Sequence, residues 1–148
     1  MKTSNRMKLQ FDSRSANESF ARVAVSAFIA PLDPTVDELS DIKTAVSEAV
    51  TNCIVHGYRD EINTVYLTAE LYPDNRVVIK IRDKGCGIPD VKAAMEPLFT
   101  TCTTGERAGL GFAVMQSLMD KVKVSSKEGK GTTVTMERKI TSRGEANG

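Results

Sequence analysis

The sequence predicts an α+β fold, a two-layer sandwich of a mixed, mainly antiparallel sheet with helices on one face. Segments with a helical apolar period are interspersed with segments that alternate apolar and polar residues. The alternating segments come in neighbouring pairs joined by turn residues, as in hairpins, and not as repeated βαβ units. The 148 residues suit one domain, so residues 1–140 are expected to fold as a unit, with polar residues 141–148 as a disordered tail.

Two amphipathic helices are expected in the first third of the chain. Residues 17–30 place five apolar side chains on one helical stripe: Phe20, Val23, Ala24, Ala27 and Phe28. A second helix is expected to begin near Thr35, because Thr35 and Glu38 have the spacing of a capping box. Gly57 is the expected stop of this second helix.

Strand-like segments fill most of the remaining chain. Five are predicted: residues 7–11, 64–71, 76–82, 121–125 and 132–139. Turn residues 73–75 separate the second and third, and turn residues 128–131 separate the last two, so each pair is expected to form an antiparallel hairpin. Residues 90–95 suggest a short helix. Residues 97–109 are expected to be irregular, and residues 110–119 helical.

The composition argues against several classes of function. Twenty Lys and Arg against nineteen Asp and Glu leave a net charge of +1, which disfavours direct binding to nucleic acid or to a membrane surface. The chain has five Phe, three Tyr and no Trp, which argues against an aromatic platform for stacking nucleic-acid bases. The three cysteines form no C-x-x-C pair, so neither a disulfide framework nor a zinc site is indicated, and a cytoplasmic location is expected.

A carboxylate and a carboxamide lie one turn apart on the second helix. Glu48 and Asn52 are i, i+4 neighbours, so they project from one face, at the shoulder of the apolar stripe. A carboxylate beside an amide oxygen on a rigid helix suits a general base next to a hard cation. Such pairs are also common on solvated helix faces, and the motif alone favours that simpler interpretation.

Asp83 ends a predicted strand and is followed by Gly85 and Gly87. An Asp at a strand exit can accept a hydrogen bond from an exocyclic amine, and the glycines allow a tight turn and close approach to a planar ligand. The alternative is an ordinary turn, in which Asp and Gly are common. Thr132, which opens the last strand after Gly131, has the equally simple alternative of a β-branched strand residue.

A second glycine-rich segment runs into a helix. It contains seven candidate site residues: Thr103, Thr104, Gly105, Arg107, Gly109, Leu110 and Gly111. Free N–H groups at a helix start form an anion site, and Arg107 adds a fixed charge for phosphate oxygens. Glycines also allow such a loop to close over a ligand, although a flexible surface loop would look similar. Neither a P-loop nor a Rossmann fingerprint is present.

The order of these motifs resembles the Bergerat-fold (GHKL) ATPase superfamily, which includes gyrase, Hsp90, histidine kinases and MutL. The resemblance consists of an E-x-x-x-N helix, a D-x-G-x-G strand exit, a glycine-rich segment before a helix and a G-T-T strand. It covers about residues 37–136. Residues 47–58, 97–101 and 109–112 look like the anti-sigma-factor serine kinases in particular, and residues 17–23 match them as well.

This resemblance implies an ATP-dependent serine kinase that uses ATP (or ADP in its product state) with Mg²⁺. Such a protein would sequester an RNA polymerase sigma factor of the sigma-F type. It would also phosphorylate a serine of an anti-anti-sigma factor and so control sporulation transcription. Family members work as homodimers, and the first strand and helix would contribute to that dimer and to partner contacts.

Carried over residue by residue, the resemblance assigns roles within the site. Glu48 would accept the proton of the attacking serine hydroxyl, and Asn52 would hold Mg²⁺ at the ATP phosphates. Asp83 would bind the adenine amine, with the hydroxyl of Thr132 nearby. Arg107 would contact the terminal phosphate. Further cofactor contacts are expected at Gly85, Gly87, Thr103, Thr104, Gly105, Gly109, Leu110 and Gly111.

Three of those glycines, Gly105, Gly109 and Gly111, would shape a lid. On the first helix, Arg22 is the candidate partner contact, with a solvated ion pair to Glu18 as the alternative.

Two other functions stay open at this point. One is a detached histidine-kinase-type catalytic domain, although the chain has no room for a phosphoacceptor helical hairpin. The other is a nucleotide-dependent sequestering module without catalysis. Glu48 argues against that module, because a protein that only binds nucleotide needs no general base.

Overall fold

The computed structural model describes residues 2–59, 61–95 and 106–141, and for residues 106–110 it describes the backbone alone. The helices are α1 (Ala16–Ile29), α2 (Val36–Asn52), α3 (Val91–Ala94) and α4 (Glu106–Leu118). A 3-10 turn (Ala30–Leu32) follows α1, and a π turn (Cys53–Gly57) follows α2. The strands are β1 (Asn5–Asp12), β2 (Thr64–Leu71), β3 (Arg76–Asp83), β4 (Lys121–Lys127) and β5 (Gly131–Lys139).

The described strands form one sheet in the order β1-β2-β3-β5-β4, and each neighbouring pair is antiparallel. The α+β class with an antiparallel sheet is therefore confirmed. Both predicted hairpins, β2–β3 and β4–β5, are present. Residues 142–148 of the predicted tail lie outside the described part of the chain.

One face of the sheet is apolar and carries the helices. On β2 the residues Val65, Leu67 and Ala69 are fully or almost fully buried, whereas the alternate positions are more exposed. The helices contribute a matching set of buried side chains: Val25, Ile29, Ile42, Val46, Val50 and Met115. Burial of such residues supplies about 1.5–3 kcal/mol each, so α2 is held mainly by this contact.

The capping box predicted at the start of α2 is confirmed. Thr35 Oγ1 accepts a hydrogen bond from the Glu38 N–H at 3.1 Å, and Glu38 Oε1 accepts one from the Thr35 N–H at 2.9 Å. The second carboxylate oxygen of Glu38 accepts from the Thr141 N–H at 2.8 Å. The start of α2 and the segment after β5 are therefore joined through one side chain.

The helical segment that begins with α2 ends at Gly57, as expected, but its last turn is not α-helical. The α-helical hydrogen bonding of α2 ends at Asn52, and the chain continues to Gly57 as a wider π turn because the Tyr58 N–H bonds to the Cys53 carbonyl at 2.9 Å. One expectation about a helix boundary is wrong. Residues 106–109, expected to be irregular, belong to α4, whose first three residues, Glu106, Arg107 and Ala108, are strong helix formers. The rest of that segment, residues 97–105, lies outside the described residues.

In the described part of the chain, no helix has the length and apolar character that a membrane span requires.

Candidate functional site

Helix α2 directs Glu48 and Asn52 toward the beginning of α4. A methyl group placed on Gly111 would lie 3.3 Å from both polar side-chain atoms of Asn52 and 3.3 Å from Oε2 of Glu48. The backbone of α4 thus approaches both side chains more closely than most side chains at position 111 would allow. The structure brings together these three residues, which the sequence analysis placed in one site.

The Asn52 carboxamide is available to a ligand. Its Nδ2 atom is buried, and within the described residues it has no hydrogen-bond partner. An unsatisfied buried amide costs about 1–3 kcal/mol, which a bound acceptor would recover. A carboxamide also offers an oxygen, the ligand type that Mg²⁺ prefers, so this residue fits a magnesium–phosphate group.

Asp83 lies at the end of β3 and is only 4% exposed. Its Oδ1 accepts a hydrogen bond from the Gly85 N–H at 2.9 Å. Burial raises the pKa of the Asp83 carboxyl, and hydrogen bonds from the Gly85 N–H and the Cys53 thiol partly offset that rise. The result is a buried carboxylate that a further hydrogen-bond donor would stabilise.

The two halves of the site meet through Cys53. This residue directly follows Asn52, and its buried thiol is close enough to the Asp83 carboxylate for each group to shift the pKa of the other. Burial, followed by the charge of Asp83, raises the pKa of the Cys53 thiol, so the thiol stays protonated and donates. The amide of α2 and the carboxylate of β3 therefore lie on neighbouring parts of one surface.

Thr132 pairs directly with Asp83 across β3 and β5, and Ser126 pairs with Thr132 across β5 and β4. The Ser126 and Thr132 hydroxyl oxygens are 2.8 Å apart, and Ser126 Oγ accepts from the Ile88 N–H at 2.8 Å. Sequence reasoning missed Ser126. The predicted fourth strand ended at residue 125, whereas β4 continues to Lys127 and so includes Ser126.

Gly85 and Gly87 are required by contacts between backbone segments. A Cβ on Gly85 would lie 2.0 Å from the Gly57 carbonyl oxygen. Gly87 has a φ of +73°, and a Cβ there would lie 2.1 Å from the Lys127 carbonyl oxygen. The strand exit after Asp83 therefore packs between the π turn and the β4–β5 turn, a role that the sequence analysis did not anticipate.

The predicted lid is only partly described. Thr103, Thr104 and Gly105 lie outside the described residues. Arg107, Gly109 and Leu110 belong to the first turns of α4, where only the backbone is described. Their roles toward a nucleotide remain predictions.

Arg22 lies on α1, where its partners belong to the same helix. Its Nε is 3.1 Å from Oε1 of Glu18, and its Nη2 donates to Ser19 Oγ at 3.2 Å. The ion pair with Glu18 that the sequence analysis considered is therefore present. Glu18 in turn accepts a hydrogen bond from Ser47, the residue before Glu48. A role of Arg22 in partner contact remains a prediction.

Comparison with known proteins gives the class that this fold and site define. The family model of the histidine kinase-like ATPase domain matches residues 11–138, so the chain is a member of that domain family. Among named relatives, it is 54% identical over 140 residues to the anti-sigma F factor of Caldanaerobacter subterraneus subsp. tengcongensis, covering 95% of this chain and 97% of the relative. It is 53% identical over 136 residues to that of Geobacillus kaustophilus, covering 92% and 93%. The chain belongs to the anti-sigma F factor family.

Solved structures show the same fold at lower identity. The crystal structure of the RsbU and RsbW domains of Rv1364c from Mycobacterium tuberculosis matches with a TM-score of 0.68 and 18% identity, over 95% of this chain and 34% of that one. The histidine kinase domain of the Erythrobacter litoralis EL346 blue-light activated histidine kinase matches with a TM-score of 0.52 and 23% identity, over 71% and 46%.

Proposed function

We propose that this chain binds ATP between α2 and α4 and transfers the γ-phosphoryl group to a serine of an anti-anti-sigma factor. We further propose that it holds an RNA polymerase sigma factor of the sigma-F type inactive, in control of sporulation transcription. The observation that carries the proposal is the cluster of Glu48, Asn52 and Gly111. A carboxylate lies beside a buried amide that has no hydrogen-bond partner in the described part of the chain, and a glycine of α4 approaches both closely. The names of the relatives support the sigma-factor partner.

Glu48 is the proposed general base. In the transfer, the serine oxygen bonds to the γ-phosphorus, the bond from that phosphorus to the bridging oxygen breaks, ADP leaves, and the serine proton passes to the Glu48 carboxylate. Phosphoryl transfer needs alignment and charge neutralisation more than covalent help from the protein. A half-buried carboxylate fixed on a rigid helix supplies the alignment for the proton.

Asn52 is the proposed ligand of Mg²⁺. Its carboxamide oxygen suits a hard cation. Its buried Nδ2 group, which has no hydrogen-bond partner within the described residues, can donate a hydrogen bond to a phosphate oxygen. When bound, Mg²⁺ would neutralise charge on the phosphates.

Asp83 is the proposed acceptor for the exocyclic amine of adenine, with the Thr132 hydroxyl beside it. Its raised pKa favours a ligand that donates a hydrogen bond to the carboxylate. The lid contacts proposed for Thr103, Thr104, Gly105, Arg107, Gly109 and Leu110 complete the phosphate end.

Partner contacts are proposed on α1 and β1. Phe20 is 48% exposed and Val23 is 65% exposed, and Arg22 lies between them in the sequence. Among the described strands, β1 is also at an edge of the sheet, with one side unpaired. These features support a homodimer that uses α1 and β1, with Arg22 on the surface that contacts a partner.

The proposed switch is nucleotide-dependent. The γ-phosphate would order the lid, and the lid would set partner preference. Two partners can be exchanged in this way only if ATP and ADP complexes differ in their affinity for each partner. Equal sigma-factor affinity with either nucleotide would contradict this switch.

The test is transfer of label from γ-labelled Mg-ATP to an anti-anti-sigma factor, with the wild-type chain and with Glu48→Gln. Wild type should yield phosphoserine, and Glu48→Gln should keep ATP affinity while losing transfer by about 10²-fold or more. ATP binding without any transfer would instead indicate a sequestering module. Acid-labile phosphohistidine on the partner would indicate a histidine-kinase-type domain.

A further inference from the structure

Three consecutive backbone N–H groups follow Asp83, and each has a fixed partner. The Lys84 N–H donates to the Tyr58 hydroxyl at 2.7 Å, and the Gly85 N–H donates to Asp83 Oδ1 at 2.9 Å. The Cys86 N–H donates to the Gly57 carbonyl at 3.0 Å. Two of these three partners belong to the segment that immediately follows Asn52, so the end of α2 holds the strand exit in place.

Tyr58 is the partner that makes its contact through a side chain from another part of the chain. Its side chain is buried, with 5% exposure, and its hydroxyl donates to the Thr64 carbonyl at 2.5 Å while accepting from Lys84. Burial raises the pKa of Tyr58, which keeps the hydroxyl protonated and able to donate. One phenol oxygen thus ties the beginning of β2 to the residue after Asp83.

The π turn that precedes Tyr58 orients its side chain. Its extra residue per turn brings Gly57 against Asp83, where a Cβ would lie 2.6 Å from Oδ2 of the carboxylate. The Cys86 thiol also donates to the His56 carbonyl at 3.1 Å, adding a second link between turn and loop. An ordinary helix end would lack this wider turn, and π turns are frequent at functional sites.

We propose that Tyr58 is a positioning residue of the nucleotide site. Its hydroxyl fixes the backbone N–H of Lys84, directly after Asp83, and so keeps the Asp83 carboxylate where it accepts the exocyclic amine of an amino-purine. Tyr58 would in this way set the affinity and base preference of the site without contacting the nucleotide. This inference rests on the proposed function, which assigns Asp83 to that amine. A hydrogen bond from the base to Asp83 requires the carboxylate to be placed within about 0.5 Å. Lys84, the next residue, is where Tyr58 would control that placement.

The experiment compares the wild-type chain with Tyr58→Phe, which removes only the hydroxyl. Binding of Mg-ATP and of Mg-inosine triphosphate, which has an oxygen in place of the amine, is measured by calorimetry. Tyr58→Phe should bind ATP about tenfold more weakly, the size expected when the hydrogen bond between the adenine amine and a misplaced Asp83 is lost. It should bind inosine triphosphate nearly as well as wild type. At saturating ATP its kcat should stay within about twofold, because Glu48 is unaffected.

Tyr72→Phe is the matched control. Tyr72 lies in the β2–β3 turn, where its ring stacks under the Arg76 guanidinium at 4.3 Å. Removal of its hydroxyl should change neither nucleotide affinity. In addition, hydrogen exchange of the Lys84 amide should be slow in wild type, a measurement that does not depend on how a variant folds. Fast exchange of that amide in wild type would overturn the inference.

The remaining outcomes separate this inference from the proposed function. Unchanged ATP affinity and base preference in Tyr58→Phe, with ATP binding by wild type, overturns the positioning role and leaves the proposed function standing. An equal loss for both nucleotides together with a lowered Tm also overturns it, because that is the behaviour of a purely structural residue. No ATP binding by wild type overturns both.

Discussion

At the scale of single residues, Asp83 combines a stability cost with a proposed binding role. Its carboxylate is buried, and its raised pKa shows that the charged form is less well solvated in the fold than in water. Above that raised pKa the empty protein carries an unfavourable charge. A ligand that donates to Asp83 would relieve this cost, as active sites commonly trade stability for function.

Replacement of this carboxylate separates the two effects. Asp83→Asn should raise the unfolding free energy of the nucleotide-free protein by about 1 kcal/mol at pH 7, while weakening ATP binding strongly. Because the folded-state pKa of Asp83 is raised, wild-type stability falls as pH rises from the unfolded pKa, about 3.9, through the folded pKa. The advantage of Asp83→Asn should therefore vanish below about pH 4, as followed by denaturant unfolding across pH. An advantage that persists there would contradict the assignment.

At the scale of elements, the contact between α2 and α4 defines the site. Gly111 allows the α4 backbone to lie against Glu48 and Asn52, and a methyl group there would meet polar atoms of both at 3.3 Å. Glycine inside a helix costs about 1 kcal/mol relative to alanine. A glycine at position 111 therefore lowers the stability of α4 but allows its backbone to approach Glu48 and Asn52 closely.

Gly111→Ala tests this contact. The gain in helix propensity and the tight contact with α2 should nearly cancel, leaving the unfolding free energy within about 1 kcal/mol of wild type. Nucleotide affinity should fall by about tenfold, because α4 must shift away from the two side chains. Thermal unfolding and calorimetry with Mg-ATP give the two quantities. Gly111→Ala with unaltered ATP affinity would show that the close approach has no part in binding.

The helices and strands also show which structural features follow from local sequence and which do not. The Thr35–Glu38 capping box and the alternation of β2 depend on local spacing, and both were predicted correctly. The π turn was not, because its i→i+5 bond is favoured by contacts of Gly57 with Asp83 and Cys86, far along the chain. In the candidate site, the i, i+4 spacing of Glu48 and Asn52 was visible in the sequence, but it favoured a solvated helix face, and the family resemblance was what assigned both residues to one site.

Tyr58 and Ser126 were missed for a related reason. The partners of Tyr58 are backbone groups of Thr64 and Lys84, which no side-chain pattern reveals. Ser126 joins the site only through the strand register that pairs it with Thr132. Residues that position a site through tertiary contacts are therefore harder to read from sequence than residues that carry its chemistry.

At the scale of the whole molecule, the helices cover one face of the sheet, yet α1 keeps an exposed apolar surface. Val23 is 65% exposed, and Phe20, although its ring packs edge-on against Phe11 at 6.3 Å, is still 48% exposed. Clustered apolar exposure of this kind marks interaction surfaces. It supports the proposed homodimer, with β1 as a neighbouring free edge.

Val23→Glu should weaken self-association while leaving the fold intact, because a mostly exposed side chain contributes within about 0.5 kcal/mol to stability. Sedimentation velocity should show a shift toward monomer at concentrations where wild type is dimeric. Val36→Glu is the matched control, since Val36 is 77% exposed at the start of α2. If Val23→Glu and Val36→Glu change the proportion of dimer equally, α1 is not the dimer surface.

The proposed function requires Asn52 to hold the phosphate end of Mg-ATP beside Glu48. Titration of Mg-ATP into wild type and Asn52→Ala, followed by calorimetry, tests it most directly. Wild type should bind one nucleotide per chain, and Asn52→Ala, with an unchanged far-UV spectrum, should bind at least about tenfold more weakly. An Asn52→Ala chain that binds Mg-ATP as tightly as wild type would contradict this account.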